Sequence, residues 1–529
     1  MSVSAYDYPL IIKHLLTNPL RLFGDQEIVY RGEQRFTYRQ FGERVARLGS
    51  ALARLGVAHG DTVAVMDWDS HRYLECFFGI PMSGCILQTV NIRLSPEQIL
   101  YTLNHAGASV ILCNTEFLPL LAGLRGQLTS AKIFICIDDN GVAPPDFAWD
   151  GEYEALLAAA DPAHEFPDFD ERTQATTFYT TGTTGLPKGV FYSHRQIVLH
   201  TLTCLATLGL KADDVYMPIT PMFHVHAWGN PFCATVRGIK QVYPGRYAPD
   251  LLVKLFQQEK VTFSHCVPTI MQMFLGAAEG VDLRGWRVVI GGSALPRALA
   301  QTLLDRGADV FSGYGMSETG PIVTVSIVPP ELRDGGELEL TYRTRAGRPV
   351  PLVDLRIQAA DGSFLPADGH SAGEVVIRAP WLAQGYTKNP QGTAQLWEGG
   401  WLHTGDIGVI DGHGFLHITD RIKDVVKTGG EWVSSLDLED IIALDPRVAE
   451  VAVIGVKDAR WGERPVAIVV PKPGAEPDEA SIKALVMKSV DSGAISKYAL
   501  PEKVIFATQI AKTSVGKLDK KLLRQQYGN

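Results

Sequence analysis

The sequence predicts an α/β fold, with a large N-terminal domain of layered α/β sheets followed by a small α+β domain. The chain has 529 residues, which is more than one domain usually contains. Apolar residues at helical spacing alternate with short apolar runs that are typical of buried parallel strands. Such alternation favours layers of helices around parallel sheets.

The first part of the chain shows this alternation most clearly. Apolar residues over 41–55 recur at helical spacing, and residues 61–66 then form a predicted strand. A capping box with proline at the first helical position predicts a helix over 95–105. Residues 110–113 and 133–137 are continuous apolar runs, which indicate two further buried strands.

The C-terminal part of the chain predicts a smaller structural unit. Residues 451–455 and 465–470 are apolar runs of strand length. An amphipathic helix over 482–490 separates them from a third short run at 504–506. This order of elements predicts a small α+β domain.

Composition and charge exclude several classes of protein. The chain holds 49 Lys and Arg against 58 Asp and Glu, a net charge of −9, which argues against nucleic acid or an anionic membrane as the main partner. The seven cysteines show no Cys-x-x-Cys or His/Cys ligand spacing, so they predict neither a zinc site nor a disulfide framework. No secretory signal or long apolar segment is recognisable. We therefore expect a cytoplasmic protein with reduced thiols and no stable membrane insertion.

The strongest chemical signal is a segment at residues 179–190, which reads YTTGTTGLPKGV. Glycine lets a backbone turn tightly, and successive N–H groups in such a turn form an anion-binding nest. Threonine hydroxyls add hydrogen-bond donors and a lysine adds a positive charge, both suited to phosphate oxygens. The segment lacks the Gly-Lys-Ser/Thr of a Walker loop, so it predicts a phosphate loop of another kind. Its candidate ligands are Thr180, Thr181, Gly182, Thr183, Thr184, Gly185 and Lys188.

A second segment, at residues 217–229, contains no Asp, Glu, Lys or Arg. It reads MPITPMFHVHAWG, and no acidic residue lies between His224 and Phe232. A pocket for an amino acid would need an anion near the ammonium group of the substrate, because a buried unpaired charge is costly. The segment therefore weighs against an amino acid as the substrate.

Two glycine-containing turns follow apolar runs further along the chain. Residues 288–293 read VVIGGS, and the two glycines would let a flat ligand approach the backbone; an ordinary strand-to-helix turn is the alternative. Residues 312–319 read SGYGMSET. In this second turn Tyr314 offers a ring on which adenine can stack, and Glu318 offers a hard oxygen ligand for Mg²⁺.

These motifs resemble, in the same order, those of the adenylate-forming (AMP-binding) superfamily, which includes acyl-CoA synthetases, peptide-synthetase adenylation domains and luciferases. Residues 400–406, GWLHTGD, and residues 511–517, AKTSVGK, add two more motifs, so the resemblance spans essentially the whole chain. The last motif begins with alanine where proline is usual. Thr181 and Ser317 replace the usual serine and threonine and keep the hydroxyl, whereas His226 stands where asparagine is more usual.

The resemblance implies a role for each nucleotide-binding motif. The phosphate loop would hold the β- and γ-phosphates of ATP, and Glu318 would hold Mg²⁺ together with the hydroxyls of Thr180 and Thr184. Asp406 and Arg421 would bind the ribose. The remaining candidates for binding the nucleotide and CoA are Gly292, Ser293, Gly313, Tyr314, Gly315, Met316, Ser317, Lys423, Lys427, Gly429, Gly430 and Trp432.

The resemblance also implies an acyl pocket and a hinge. The pocket candidates are His224, Val225, Trp228 and Gly291, with His224 beside the acyl carboxylate. Lys423 matches the hinge, which places the large domain at residues 1–422 and the small, mobile domain at residues 423–529. The catalytic candidates are Lys517, which matches the catalytic lysine of the family, His224 and Glu318.

The sequence therefore predicts an ATP-dependent acyl-CoA ligase, most similar to medium- and long-chain fatty acyl-CoA synthetases. The carboxylate of the acid would attack the α-phosphorus of ATP to give an acyl-adenylate and pyrophosphate, and the CoA thiolate would then displace AMP. A carboxylic acid, ATP and CoA would be the substrates and Mg²⁺ the metal, with a homodimer left open. A CoA ligase for an aryl or other bulky acid is the alternative enzyme. An inactive nucleotide-binding relative is the alternative from another class.

Overall fold

A computed structural model describes residues 7–180, 186–429, 431–493, 495–512 and 518–528. The described residues form four β-sheets with helices on their faces. The strands before residue 200 are β1 (Glu27–Tyr30), β2 (Gln34–Thr37), β3 (Thr62–Met66), β4 (Ile86–Thr89), β5 (Ala108–Asn114), β6 (Ile133–Ile137), β7 (Gly151–Glu152), β8 (Gln174–Thr180) and β9 (Lys188–Ser193).

The remaining strands fall into three groups along the chain. The first group is β10 (Val215–Tyr216), β11 (Lys240–Tyr243), β12 (Phe263–Cys266), β13 (Arg287–Gly291), β14 (Asp309–Gly315), β15 (Ile322–Val325) and β16 (Arg348–Pro349). The second group is β17 (Asp354–Gln358), β18 (Gly373–Arg378), β19 (Leu402–Ile410) and β20 (Leu416–Arg421). The third group is β21 (Val426–Thr428), β22 (Glu431–Val433), β23 (Val448–Asp458), β24 (Gly462–Pro471) and β25 (Lys503–Phe506).

The helices alternate with these strands through most of the chain. The helices before residue 240 are α1 (His14–Leu22), α2 (Tyr38–Arg54), α3 (His71–Met82), α4 (Pro96–Ala106), α5 (Leu118–Leu124), α6 (Tyr153–Ala158), α7 (His194–Leu208), the short turn α8 (Val225–Trp228) and α9 (Asn230–Arg237). The later helices are α10 (Pro249–Glu259), α11 (Pro268–Ala277), α12 (Arg297–Asp305), α13 (Glu337–Thr344), α14 (Pro390–Leu396), α15 (Ser435–Ala443), α16 (Glu479–Asp491) and α17 (Lys520–Tyr527).

Two large sheets have parallel centres, with an antiparallel strand at one edge of the first and at both edges of the second. The seven-stranded sheet has the order β7-β6-β5-β3-β4-β8-β9, and all its neighbours are parallel except β8 and β9. The nine-stranded sheet has the order β16-β15-β14-β13-β12-β10-β11-β1-β2, with a parallel centre from β14 to β1. Helices connect the parallel strands, as crossover connections require. The predicted α/β fold class is thus confirmed.

Local sequence signals account for several elements of these sheets. The predicted capping box is present at the start of α4, where the Ser95 hydroxyl accepts the N–H of Gln98 and the Gln98 side chain accepts the N–H of Ser95, each at 3.3 Å. Gly107 follows α4 with φ +71°, which suits glycine at a helix C-terminus. The apolar runs predicted as strands form β5 and β6, whose side chains are almost all buried.

One apolar core joins the two large sheets. Its buried side chains come from strands of both sheets and from α2, α3, α7 and α9, which lie between them. The helices are packed on both sides because buried parallel strands expose apolar side chains on both faces. Among the described helices, none is both long enough and apolar enough to cross a membrane.

The small C-terminal domain is built on its own sheet, with the order β22-β21-β24-β23 and with β25 pairing beside β24. Alternate residues of β23 point to opposite faces. Val451 and Val453 pack with α15 and α16 on one face, whereas Ala452 and Ile454 pack with α17 on the other. This sheet lies wholly after residue 423, whereas the predicted boundary at 422/423 itself stays a prediction.

Candidate functional site

The predicted phosphate loop closes an antiparallel hairpin between β8 and β9. Thr180 at the end of β8 is paired with Lys188 at the start of β9, so the stem of the loop is fixed by backbone pairing. A Cβ added at Gly189 would lie 3.1 Å from both the Tyr179 ring and the Thr387 side chain, so the segments around Gly189 pack closely. The other loop candidates lie outside the described residues; they are Thr181, Gly182, Thr183, Thr184 and Gly185.

Tyr386 connects the lysine of this hairpin with the predicted metal ligand. The Nζ atom of Lys188 lies 4.6 Å from the centre of the Tyr386 ring, a cation–π distance. The Tyr386 hydroxyl donates a hydrogen bond of 2.6 Å to Oε1 of the buried Glu318 carboxylate. Burial, followed by the charge of this carboxylate, raises the pKa of Tyr386, so the hydroxyl keeps its proton. The structure therefore places Lys188 over the face of the Tyr386 ring and Glu318 at its hydroxyl group.

Backbone geometry fixes the turn that carries Glu318. At Gly315, where β14 ends, an added Cβ would lie only 1.7 Å from the carbonyl oxygen of Pro321, so only glycine fits. A single 3₁₀ turn, Ser317–Thr319, then begins. The Tyr192 hydroxyl donates to the Ser317 carbonyl at 2.7 Å and holds this turn against β9. The glycine predicted from the motif thus has a steric reason.

Asp406 brings together the residues predicted to bind adenosine. Its Oδ2 accepts a hydrogen bond of 2.7 Å from the Tyr314 hydroxyl. Its Oδ1 lies 3.2 Å from Nε of Arg421, and the two residues are directly paired across β19 and β20. The motifs that contain Tyr314, Asp406 and Arg421 are therefore one cluster, although they lie on three strands from two sheets.

Two adjacent strands, β13 and β14, pack closely beside Trp228. A Cβ added at Gly291 would lie 2.5 Å from the carbonyl oxygen of Gly313 and 3.3 Å from the Trp228 ring. Gly292 and Ser293 follow β13 at this same edge. The carboxyl ends of parallel strands are where open α/β sheets bind ligands. This edge joins the predicted acyl-pocket residues to the glycines of the nucleotide motif.

The loop at residues 222–229, which we call the acyl loop, has an unusual backbone. Its residues Val225, His226, Ala227 and Trp228 have φ of 48°, 54°, 46° and 58°. Left-handed geometry is disfavoured for residues with a Cβ and most of all for a β-branched residue. Backbone strain of this kind is found preferentially at functional sites.

Buried polar groups anchor the start of the acyl loop. Oδ1 of Asp69 accepts the N–H of Met222 at 2.8 Å, and Oδ2 accepts the Tyr247 hydroxyl at 2.6 Å. The Thr89 hydroxyl donates to the carbonyl of Phe223 at 3.0 Å. Burial raises the pKa of Asp69 to about 7. The sequence motifs did not predict a role for Asp69, because nothing in its own sequence neighbourhood relates it to a loop more than a hundred residues away.

Two buried histidines, one in the acyl loop and one beside it, are uncharged. His224 is half-buried at the start of the loop. Burial lowers the pKa of His226 to about 3 and that of His265 to about 3, so both rings are neutral near pH 7. The His265 ring lies 5.1 Å from the Trp228 ring, and one of its nitrogens pairs with the Tyr216 hydroxyl at 2.8 Å. The structure thus places a neutral histidine ring beside Trp228.

The predicted hinge lies in a tight connection between β20 and β21. Lys423 is in this turn, and burial lowers its pKa. Asp424 forms an ion pair of 2.7 Å with Arg524 on α17. Lys427 pairs with the backbone of Trp432 across β21 and β22, and Gly429 follows with φ +60°. The catalytic candidate Lys517 lies outside the described residues, as do Gly430 and the Trp432 side chain.

Comparison with known proteins identifies the family of this chain. The model of the AMP-binding enzyme family matches residues 18–387, and the model of the AMP-binding enzyme C-terminal domain matches residues 437–517. The chain belongs to the AMP-binding enzyme family. The resemblance predicted from the motifs is therefore confirmed.

Three similar proteins are named as CoA ligases for different acids. The chain is 41% identical to the long-chain-fatty-acid–CoA ligase of Thermus thermophilus, covering 99% of this chain and 96% of that one. It is 37% identical to the 3-methylmercaptopropionyl-CoA ligase of Ruegeria pomeroyi, covering 98% and 97%. The crystal structure of the anthranilate CoA ligase AuaEII with anthranoyl-AMP matches with a TM-score of 0.87 and 26% identity, covering 98% of each chain.

These findings confirm the predicted class of enzyme. This AMP-binding enzyme is an AMP-forming acid–CoA ligase, and ATP and CoA are its substrates. The structural match also confirms the large N-terminal and small C-terminal domains. The roles of the individual site residues stay predictions, since the comparisons assign none of them.

Proposed function

We propose that this AMP-binding enzyme activates a medium- or long-chain fatty acid through an acyl-adenylate and transfers the acyl group to CoA. One observation carries the choice of acid, namely the lack of acidic residues, lysine and arginine in and around the acyl loop. Residues 217–232 contain no Asp, Glu, Lys or Arg, and the buried His226 and His265 are neutral because burial lowers the pKa of each to about 3. A hydrocarbon chain brings no charged or polar group of its own that would need a partner there.

The first half-reaction places a carboxylate against a triphosphate, so it needs positive charge where negative charge accumulates. In our proposal Lys188 and the loop threonines hold the β- and γ-phosphates, and Lys517 neutralises the oxygens at the α-phosphorus. The Tyr386 ring supports this role for Lys188, because it holds the ammonium group by a cation–π contact. His224 lies at the start of the acyl loop, where it would contact the carboxylate of the acid.

The environment of Glu318 fits its proposed role as a ligand of Mg²⁺. It is a buried carboxylate, a hard oxygen donor, and the Tyr386 hydroxyl fixes its orientation at 2.6 Å. Mg²⁺ typically binds through one or two carboxylates together with substrate phosphates. When bound, the ion would offset the negative charge of the phosphates. Thr180, at the end of β8, would contribute its hydroxyl from the stem of the phosphate loop.

The second half-reaction needs the CoA thiol at the same carbonyl carbon, after pyrophosphate has left. We propose that the small domain rotates about Lys423 between the two half-reactions, so that Lys517 serves the first and the loop at Gly429 and Gly430 admits CoA in the second. Closure in each state would exclude water, which would otherwise hydrolyse the adenylate. We place the enzyme in the cytoplasm, and a homodimer stays a prediction.

A ligase for an aromatic acid is the second candidate. It is supported by the segment 217–232, which contains no Asp, Glu, Lys or Arg, so that an aromatic ring would also lie there without a buried unpaired charge. The anthranilate CoA ligase, which is similar in structure, acts on such an acid.

The proposed function is tested by measuring pyrophosphate release and CoA-ester formation on straight-chain acids from butyrate to stearate, beside benzoate and cinnamate. We expect the highest kcat/KM among the medium and long chains. Trp228→Ala should shift the preferred chain length and leave the KM for ATP near the wild-type value, since Trp228 lies at the acyl loop. A preference for benzoate or cinnamate would select the second candidate. No pyrophosphate release with any acid would indicate an inactive relative.

A further inference from the structure

A small cavity lies behind the acyl loop, between the loop and α7. His226, Gly229 and Phe232 form one wall, and His200 and Thr201 of α7 face them. Its volume is about 10 Å³, which is room for roughly one water-sized group. An occupant of this cavity is therefore a single small group and not a ring or a branched chain end.

His226 has an unpaired nitrogen at this cavity. The side chain is 4% exposed, and its Nε2 has no hydrogen-bond partner among the residues that the structure describes. The rings of Phe77, Phe178 and Phe232 surround it, with centres 5.5, 5.3 and 6.3 Å from its own. A buried polar atom without a partner is costly, and most such atoms in proteins do have one. His226 also lines the cavity, so an occupant of the cavity lies beside this ring.

The chemistry of the walls selects a neutral hydrogen-bonding group. Burial lowers the pKa of His226 to about 3 and that of His200 to about 4, so neither ring offers a charge. A charged occupant would be buried without a counter-ion. His200 already uses its Nε2 to accept the N–H of Ile322 at 3.3 Å. A hydroxyl group can both donate and accept, so it matches either neutral tautomer of His226.

We propose that His226 selects acids that carry a neutral hydrogen-bonding group, such as a hydroxyl, on the acyl chain. This inference rests on the proposed function, because His226 belongs to the same loop as His224 and Trp228. An oxygen of the substrate takes the water-sized cavity and pairs with Nε2 of His226. An unsubstituted chain leaves that nitrogen unpaired or bound only to water.

The test compares decanoate with decanoates that carry one hydroxyl, moved stepwise along the chain. In the wild-type enzyme one hydroxyl position should give a kcat/KM about 10-fold or more above the other positions, the scale of a buried hydrogen bond. His226→Leu should remove this preference, so that kcat/KM becomes the same for every hydroxyl position. His226→Asn, whose amide can also donate and accept, should keep part of the preference.

Phe232→Leu is the matched control, since it alters the same cavity without removing a polar atom. It should change kcat/KM for decanoate and for the preferred hydroxydecanoate by the same factor. Decanoate turnover with an equal loss at every hydroxyl position in the wild-type enzyme would overturn this inference alone, whether or not His226→Leu folds. No turnover of any fatty acid would overturn the proposed function and this inference with it.

Discussion

At the scale of single residues, hydrogen bonds orient the two carboxylates of the site. Glu318 accepts the Tyr386 hydroxyl at 2.6 Å, and Asp406 accepts the Tyr314 hydroxyl at 2.7 Å. Each tyrosine has its pKa raised by burial, so its proton stays in place to donate. Groups held in this way need little reorganisation when a charged ligand binds, which is the basis of electrostatic catalysis.

Tyr386→Phe tests this arrangement, because it removes the hydroxyl and keeps the ring beside Lys188. A hydrogen bond to a charged group contributes about 1.5–3 kcal/mol, so we expect kcat/KM for ATP to fall by about 10-fold or more. The measurement is acid-dependent exchange of pyrophosphate into ATP.

Tyr153→Phe provides the control for that variant. The Tyr153 hydroxyl donates to Glu75 at 2.7 Å in a buried position, so the same bond type is lost in another part of the molecule. We expect a lower unfolding temperature and an unchanged kcat/KM for ATP. Equal kinetics in Tyr386→Phe and the wild type would contradict a role for Tyr386 in orienting Glu318.

At the scale of secondary-structure elements, the acyl loop has a backbone conformation unlike that of the helix that follows it. Four consecutive residues with a Cβ, from Val225 to Trp228, take left-handed φ, and the right-handed helix α9 follows directly. The bond from Met222 to Asp69 and the packing of Trp228 against His265 hold this conformation. The loop therefore keeps its shape through tertiary contacts, against its own backbone preference.

Ala227→Gly should relieve part of this strain, and Ala234→Gly in α9 is the matched comparison. Both alanines are fully buried, so both variants lose one buried methyl group. Glycine tolerates the φ of 46° at Ala227 but weakens a right-handed helix at Ala234. We expect Ala227→Gly to be more stable than Ala234→Gly by roughly 2 kcal/mol. Thermal unfolding checks this, and equal midpoints would contradict a strained loop.

At the scale of the whole molecule, the catalytic candidates are divided between two domains. The stem of the phosphate loop, Glu318 and Asp406 belong to the large domain. Lys517 falls in the match to the C-terminal family domain, 94 residues after Lys423 in the sequence. In our proposal it serves the first half-reaction only in one closure of the two domains. The two half-reactions should therefore depend differently on Lys517.

Lys517→Ala should abolish formation of the acyl-adenylate from acid and ATP, because it removes the charge at the α-phosphorus. The same variant should convert prepared acyl-adenylate and CoA into thioester at nearly the wild-type rate. Lys423→Pro should leave formation of the acyl-adenylate unchanged and slow formation of the thioester, since proline fixes φ at the hinge and restricts rotation. Single-turnover assays of each half-reaction measure both effects. Lys521→Ala removes an exposed lysine of α17 and should leave both rates unchanged.

Equal losses in both half-reactions of Lys517→Ala would indicate one fixed active site. Rotation of the small domain would then be unnecessary, and Lys423→Pro should have no selective effect on thioester formation.

The sequence alone determined the features that depend on neighbours along the chain. The capping box at Ser95 and the apolar strands β5 and β6 lie where local pattern predicts them, because caps and side-chain periodicity are properties of a few consecutive residues. The family and the enzyme class were also predictable, since each motif keeps its reactive residue types within a short segment.

Only the tertiary structure decided which of these side chains touch. Tyr386 and Glu318 are 68 positions apart, and Asp69 and Met222 are 153 positions apart. Such pairs meet because strand order and helix packing bring distant segments together, which local periodicity does not encode. For the same reason the sequence could note His226 as a departure from the family but could not place it against a cavity among three phenylalanine rings. The left-handed acyl loop likewise exists only because distant contacts outweigh the backbone preference of its own residues.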